Sequence, residues 1–151
     1  MITISANTAP IQQQLQRLAS RVADLRPVMA DVSEVMLESV RDNLDKGRGP
    51  GGPWPQLAAA TILRRQLQGK WPGKMLQVSG TLKNTITPGH DGRSAFVTAP
   101  ARYAAIHHLG GQAGRGGKVN IPARPFMYLD DEAQNEVYAT LSRHLERALA
   151  V

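Results

Sequence analysis

Between Ile11 and Leu44 the apolar residues fall at Ile11, Leu15, Leu18, Val22, Leu25, Met29, Val32, Met36, Val40 and Leu44, always three or four positions apart. That spacing puts them on one face of an α-helix. Pro27 lies inside the run, where its ring removes a backbone donor and crowds the preceding turn, so a break or kink is predicted near Arg26, giving two helices or one bent helix. A straight rod from Ile11 to Leu44 would reach about 50 Å at 1.5 Å per residue. A chain of 151 residues cannot cover such a rod by itself, so a partner subunit is expected to supply part of the missing surface.

The rest of the chain has mixed signals. Lys46 to Pro55 reads KGRGPGGPWP and predicts a loop, and Ala58 to Leu67 regains helical character before GKWPGK interrupts it. Met75 to Ser79 suggests a short turn of helix closed by Gly80 as a left-handed cap. Thr81 to Thr87 alternates, with Leu82, Asn84 and Ile86 on one side, which predicts a half-buried strand. Asp91-Gly92 favours a tight turn and Ser94 to Ala99 a returning strand. Gly110 to Lys118 holds five glycines in nine residues and is expected to be mobile unless something orders it. Val119 to Ile121 reads as a brief strand and Pro122 and Pro125 as an extended corner. Asp131 with Gln134 resembles a capping box ahead of a terminal helix marked by Val137, Leu141, Leu145 and Leu149. The expected architecture is α+β in a single domain over 1–151: a helical arm at about 10–45, loop and short helix at 46–80, a small antiparallel sheet with a hairpin and loops at 81–129, and a C-terminal helix at 130–150.

Charge is distributed unevenly. The net charge is +6, but Lys46 to Arg124 holds twelve basic residues against the single acid Asp91, a net +11, while the two ends hold six against eleven, a net −5. Such a dipolar chain suits nucleic acid binding, and equally a subunit whose basic part docks on an acidic face of its neighbour. There is no cysteine, so no disulfide framework or thiolate metal site is available, and a reducing cytoplasm is the simpler expectation. The start MITISANTAP lacks a basic segment followed by an apolar stretch, and no run approaches the roughly 18 apolar residues of a membrane span. No membrane partner or exported form is expected.

Chemical motifs are sparse. Of His90, His107, His108 and His144, only His107 and His108 are neighbours, and adjacent residues share no face of a helix or strand. No acid stands near them to complete a metal set. The acids Asp31, Glu34, Glu38 and Asp42 repeat at helix-surface spacing and read as a solvated or docking face. Gly47, Gly49, Gly51 and Gly52 neither follow a strand nor open into a phosphate-loop lysine. No catalytic, cofactor-binding or metal-binding residue is assigned, and no enzyme is expected. Basic residues could line a phosphate track, yet stacking aromatics and nucleic-acid motifs are missing. Trp54 is expected to pin a loop; Trp71 fits loop pinning and an interface anchor equally.

Four segments in fixed order carry a resemblance: Gly52 to Leu57 with Thr61, Met75 to Ile86, Tyr103 to Gly111, and Ile121 to Phe126. With the flanking helices they cover most of 30–145, and they resemble the phage virion morphogenesis family, which spans Mu-like morphogenesis proteins and tail-completion proteins of other tailed phages. The chain departs from the usual pattern at His108 and Leu109. The residues that match are Trp54, Leu76, Gly80, Leu82, Tyr103, His107, Gly110, Gly111, Pro122, Arg124, Pro125 and Phe126.

The resemblance implies a small non-catalytic α+β subunit at the head–tail junction, a tail-terminator or tail-completion protein forming a ring that caps the tail tube and meets the head connector. Six copies would match tail symmetry. Its partners would be copies of itself, tail-tube and connector proteins, with non-specific contact to packaged DNA left open; it would reside in the neck or tail end of the virion, and in the host cytoplasm during assembly. Arg115 and Lys118 are the residues expected to face the lumen or a neighbour. A capsid-assembly factor and a basic DNA-binding protein remain the alternatives.

Overall fold

The computed structural model describes residues 9–150. Helix α1 (Ala9–Ala23) and helix α2 (Arg26–Lys46) are separated by a break at Asp24 and Leu25, with Pro27 in the first turn of α2, where its missing donor costs nothing. At the break Arg26 grips Asp24 with two parallel bonds of 2.8 Å. The other end of α2 stops at Gly47 in the left-handed conformation, whose N–H donates to the Asn43 carbonyl.

Helix α2 is the spine. The C-terminal helix α6 (Asp131–Leu149) lies along one side of it, and the ribbon of β3 (Thr87–His90) and β4 (Ala95–Thr98) lies against another. The main core gathers Leu37, Val40 and Leu44 of α2 with Trp54, Leu82, Ile86, Ala104 and Phe126. The sheet content is three separate two-stranded antiparallel ribbons: β1 (Arg48–Gly49) with β2 (Gly52–Pro53), β3 with β4, and β5 (Gly111–Ala113) with β6 (Val119–Ile121). The glycine-proline stretch after α2, expected as a plain loop, thus folds back on itself as the first of them. The remaining helices are α3 (Ala59–Leu67), α4 (Thr81–Thr85) and α5 (Ala104–Leu109), and a single 3₁₀ turn (Arg115–Gly117) tips the third ribbon. The mixed α and β class, the long helical N-terminal part and the closing helix agree with the sequence reading.

Four local expectations are corrected. Thr81 to Thr85 is helix α4, and the strand begins only at Thr87. Leu82 inside α4 and Ile86, the extended residue that ends it, both reach the core, with 0% and 1% exposure. Thr85 Oγ1 donates to the Thr81 carbonyl at 2.8 Å, the local bond a helix offers. Met75 to Ser79 makes no helix, and Gly80, left-handed at φ 73°, opens α4 instead of closing a preceding turn. That segment is spent on α2: Gln77 Nε2 donates to the Leu44 carbonyl, one of the acceptors left over at a helix end. The turn at Asp91 forms, but Gly92 does not take a positive φ. Asp91 Oδ1 accepts from the N–H groups of Arg93 and Ser94, both at 2.7 Å, and the Asp91 N–H donates to the Ser94 carbonyl at 2.9 Å, so side chain and backbone close the turn together. Finally, α6 is capped by Asp130, whose Oδ1 accepts from Ala133 N, and not by Asp131. Gln134 Nε2 reaches back to the Leu129 carbonyl.

Two helical faces stay uncovered. Helix α1 buries no residue, and Ile11, Leu15 and Val22 are exposed. On α6 the side turned to α2 carries the small residues Ala133 and Thr140, which allow close approach, and His144 Nε2 lies 2.8 Å from Asp31 Oδ2 of α2. Tyr138, Leu141, Leu145 and Leu149 point elsewhere and are exposed.

Candidate functional site

The segment Ile121 to Tyr128 has almost no regular structure and is fastened from four directions. Trp54 Nε1 donates to the Pro125 carbonyl at 2.9 Å, so the indole does pin a loop. Asn43, on the buried face of α2, donates through Nδ2 to the carbonyls of Phe126 and Tyr128. Arg124, 5% exposed, donates through Nε and Nη2 to the carbonyl of Pro55 and through Nη2 to that of Gln56. Its own N–H donates to the His107 carbonyl at 2.7 Å. His108 Nδ1 accepts from the N–H groups of Phe126 and Met127 at 3.2 and 3.4 Å, while its ring meets Phe126 edge-on at 5.3 Å. An accepting Nδ1 must be unprotonated, and burial holds this imidazole below its usual value.

Gly110 ends α5 beside this seam. It is left-handed at φ 74°, and a Cβ there would stand 2.8 Å from the Ala123 backbone nitrogen. Gly111 begins the third ribbon opposite Ile121. His107 faces the other way from His108: its ring is edge-on to Tyr103 at 5.9 Å, and burial together with the nearby Arg124 lowers its pKa.

On the outer side of the seam lies a cleft of about 780 Å³, bounded by α3, by Leu76 to Ser79, by Tyr103 and His107, and by Val119 to Arg124. Arg64, Arg65 and Arg124 line it and no Asp or Glu does. Arg65 is 7% exposed and donates to the Lys74 carbonyl. Burial and the adjacent Arg65 push the Arg124 pKa down. A second groove, of about 250 Å³ between α2 and α6, is lined by Glu38, Asp42, Asp130, Glu132 and Glu136, with Lys46 as its single base among the described residues.

Of the residues singled out in the sequence, Trp54, Leu82 and Phe126 meet in the core, Arg124 and Pro125 belong to the seam, and Leu76, Tyr103, His107 and Pro122 line the basic cleft. Gly80 stands apart as the start of α4. Arg115 and Lys118 are exposed at the tip of the third ribbon and do not line the cleft. Sequence reasoning missed Asn43 and Arg65. Asn43 had a visible signal, a polar residue one position before Leu44 on the apolar face of a helix; Arg65 had none.

Chemically, the cleft offers guanidinium groups to a carboxylate or phosphate. The His144–Asp31 pair has no hydroxyl nucleophile bonded to the ring. Among the described residues no three His, Asp or Glu side chains gather as a metal set, and no helix is long and apolar enough to cross a membrane.

Residues 6–146 match the model of the phage virion morphogenesis family. The chain is 33% identical over 147 residues to Mu-like prophage FluMu G protein 2 of Haemophilus influenzae, covering 97% of each chain. It is 26% identical over 151 residues to the putative capsid assembly protein G of Escherichia phage Mu, covering 98% of this chain and 96% of that one. Mu-like prophage FluMu G protein 1 of Haemophilus influenzae is 29% identical over 142 residues. No solved structure matches the chain.

Proposed function

We propose that this chain, which belongs to the phage virion morphogenesis family, is a tail-terminator or tail-completion subunit that assembles into a ring, caps the tail tube and carries out no catalytic step. A part in phage morphogenesis follows from the family; the ring, its place in the neck and the absence of catalysis are our reading. The observation that carries it is the pair of uncovered helical faces. Ile11, Leu15 and Val22 of α1 and Tyr138, Leu141, Leu145 and Leu149 of α6 are all exposed on helices that touch one another. Large apolar side chains left exposed on adjoining helices are the kind of surface that an interaction covers.

A ring needs heterologous contacts, in which two different patches of each copy mate, and a chain with opposite charge in different places suits that geometry. Six copies would match the symmetry of a tail. The ribbon tip with Arg115 and Lys118 would then face a neighbour or the DNA-filled lumen. Negative-stain images and sedimentation of the purified chain test the reading: closed rings are expected, and a monomer at every concentration overturns it.

The name of the phage Mu relative favours a second reading, a capsid-assembly factor absent from the finished particle. Protein gels of purified virions separate the two, since a terminator stays in the particle and an assembly factor does not. A DNA-binding protein would instead show duplex affinity that falls steeply with salt.

A further inference from the structure

We infer that the basic cleft receives the acidic α2–α6 edge of a second copy of this chain, whose carboxylates supply the counter-charge that the cleft lacks. The inference rests on the reading of the chain as a self-assembling subunit and names the surfaces that mate.

The cleft is incomplete as it stands. Arg65 and Arg124 are buried side by side, 7% and 5% exposed, and both give protons to backbone carbonyls only. Carbonyls satisfy hydrogen bonds without cancelling charge, and buried charge without a counter-ion is costly. The exposed Arg64 adds a third guanidinium at the rim.

The acidic groove has the complementary deficit. Lys46 pairs with Asp42, Arg48 with Asp130 and Arg143 with Glu136, which leaves Glu38 and Glu132 without an ion pair among the described residues. A third observation links the two faces. Among the described residues, two buried side-chain polar atoms lack a partner, His107 Nδ1 and Ser39 Oγ. His107 lines the basic cleft and Ser39 the acidic groove. Folded chains leave few such atoms unpaired, so their coincidence with the two faces fits surfaces finished only on association.

The lining decides between a protein partner and DNA. Leu57, Leu76, Val78 and Ile121 line the same cleft as the arginines. An apolar pocket with a few convergent charges suits an inserted protein edge, whereas a phosphate backbone is met by an open basic track. Because cleft and edge lie on one chain, each copy offers one of each, and the contact repeats until a ring closes.

The test uses the full chain with Arg64→Glu, with Glu38→Arg and with both, each checked for native circular dichroism and then sized by sedimentation velocity. Both positions are exposed, so folding should survive. Each single reversal is expected to weaken assembly about tenfold or more, and the double reversal to restore it in large part, because a swapped pair recovers the attraction. A monomeric wild type overturns the self-assembly reading and this inference with it. Assembly of the wild type with neither single variant affected overturns the inference alone, as does loss in both singles without recovery in the double. Unchanged sizes with loss of duplex binding by Arg64→Glu would assign the cleft to phosphate and overturn it too.

Discussion

Residues 121–128 and helix α1 are opposites. The first has a strand residue at Ile121 and irregular chain thereafter, yet Trp54, Asn43 and His108 bind it, its own Arg124 ties it to Pro55 and Gln56, and Phe126 within it is 0% exposed. The second is fifteen residues of regular helix that buries none. Regular backbone bonds are therefore no guide to tertiary anchoring here: the seam is held by side chains donating to carbonyls and by one large ring, while α1 leaves its apolar residues exposed. The segments that carry the family resemblance lie in the seam and along the basic cleft, whereas the exposed apolar faces of α1 and α6 contain none of them.

The contrast is broken most severely at Phe126. Phe126→Ala removes the largest fully buried side chain and should cost about 3–5 kcal/mol of unfolding free energy, read as a lower urea midpoint. A loss below about 1 kcal/mol would mean that the seam is not the anchor. Next comes Gly110→Ala. Its left-handed φ of 74° and the 2.8 Å approach to Ala123 N leave no room for a Cβ, and a penalty on the order of 2–3 kcal/mol is expected. Equal stability would show that α5 and the seam can separate at no cost.

How much of this was legible in the sequence follows from the range over which each signal acts. The break at Pro27 was readable because proline excludes one backbone state whatever surrounds it, and the helix spacing was readable because it is local. Leu82 to Ile86 was not. Its spacing satisfies both a strand and a helix, and only the tertiary core selected the helix. The face that α6 buries was hidden as well, since Val137, Leu141, Leu145 and Leu149 mark a helix but the side against α2 is set by Ala133 and Thr140. The arginine cleft was least legible: Arg65 and Arg124 are brought together only by the fold, and nothing near either in sequence announces it. Arg124 was singled out only through the family resemblance, which said nothing of Arg65.

A subtler probe of the seam is pH. His107 and His108 have pKa values lowered by burial, His107 also by Arg124. The unfolded chain therefore takes up protons first, near the ordinary imidazole value of 6.5. Stability should be full above that value, fall as the pH drops through it, and level off beneath the lowered folded values. Asp45 is shifted in the same direction for a different reason: Lys83, with help from Lys74 and Gln77, stabilises its charged form and holds it at about 2, so its contribution is lost only between 3.8 and about 2. His108→Gln keeps an acceptor for the Phe126 N–H and does not titrate. It should cost about 1 kcal/mol at neutral pH and flatten the loss of stability that sets in as the pH falls below 6.5. An unaltered slope would show that His108 is not the group responsible.

The smallest effect on folding is expected on the other side of the comparison, and it sharpens it. Leu145 on α6 is 51% exposed, so Leu145→Ser removes apolar surface that the chain itself does not cover, and its unfolding free energy should change by under about 0.5 kcal/mol. Assembly should respond much more, because the proposed interface would bury the same methyl groups. Unfolding must be followed at concentrations low enough to keep the chain monomeric, since mass action otherwise lends the oligomer's stability to the measurement. A drop above about 2 kcal/mol under those conditions would place Leu145 in the chain's own core. Unchanged folding together with unchanged assembly would remove the α6 face from the interface, while leaving the cleft and the acidic edge as the surfaces that hold neighbouring copies together.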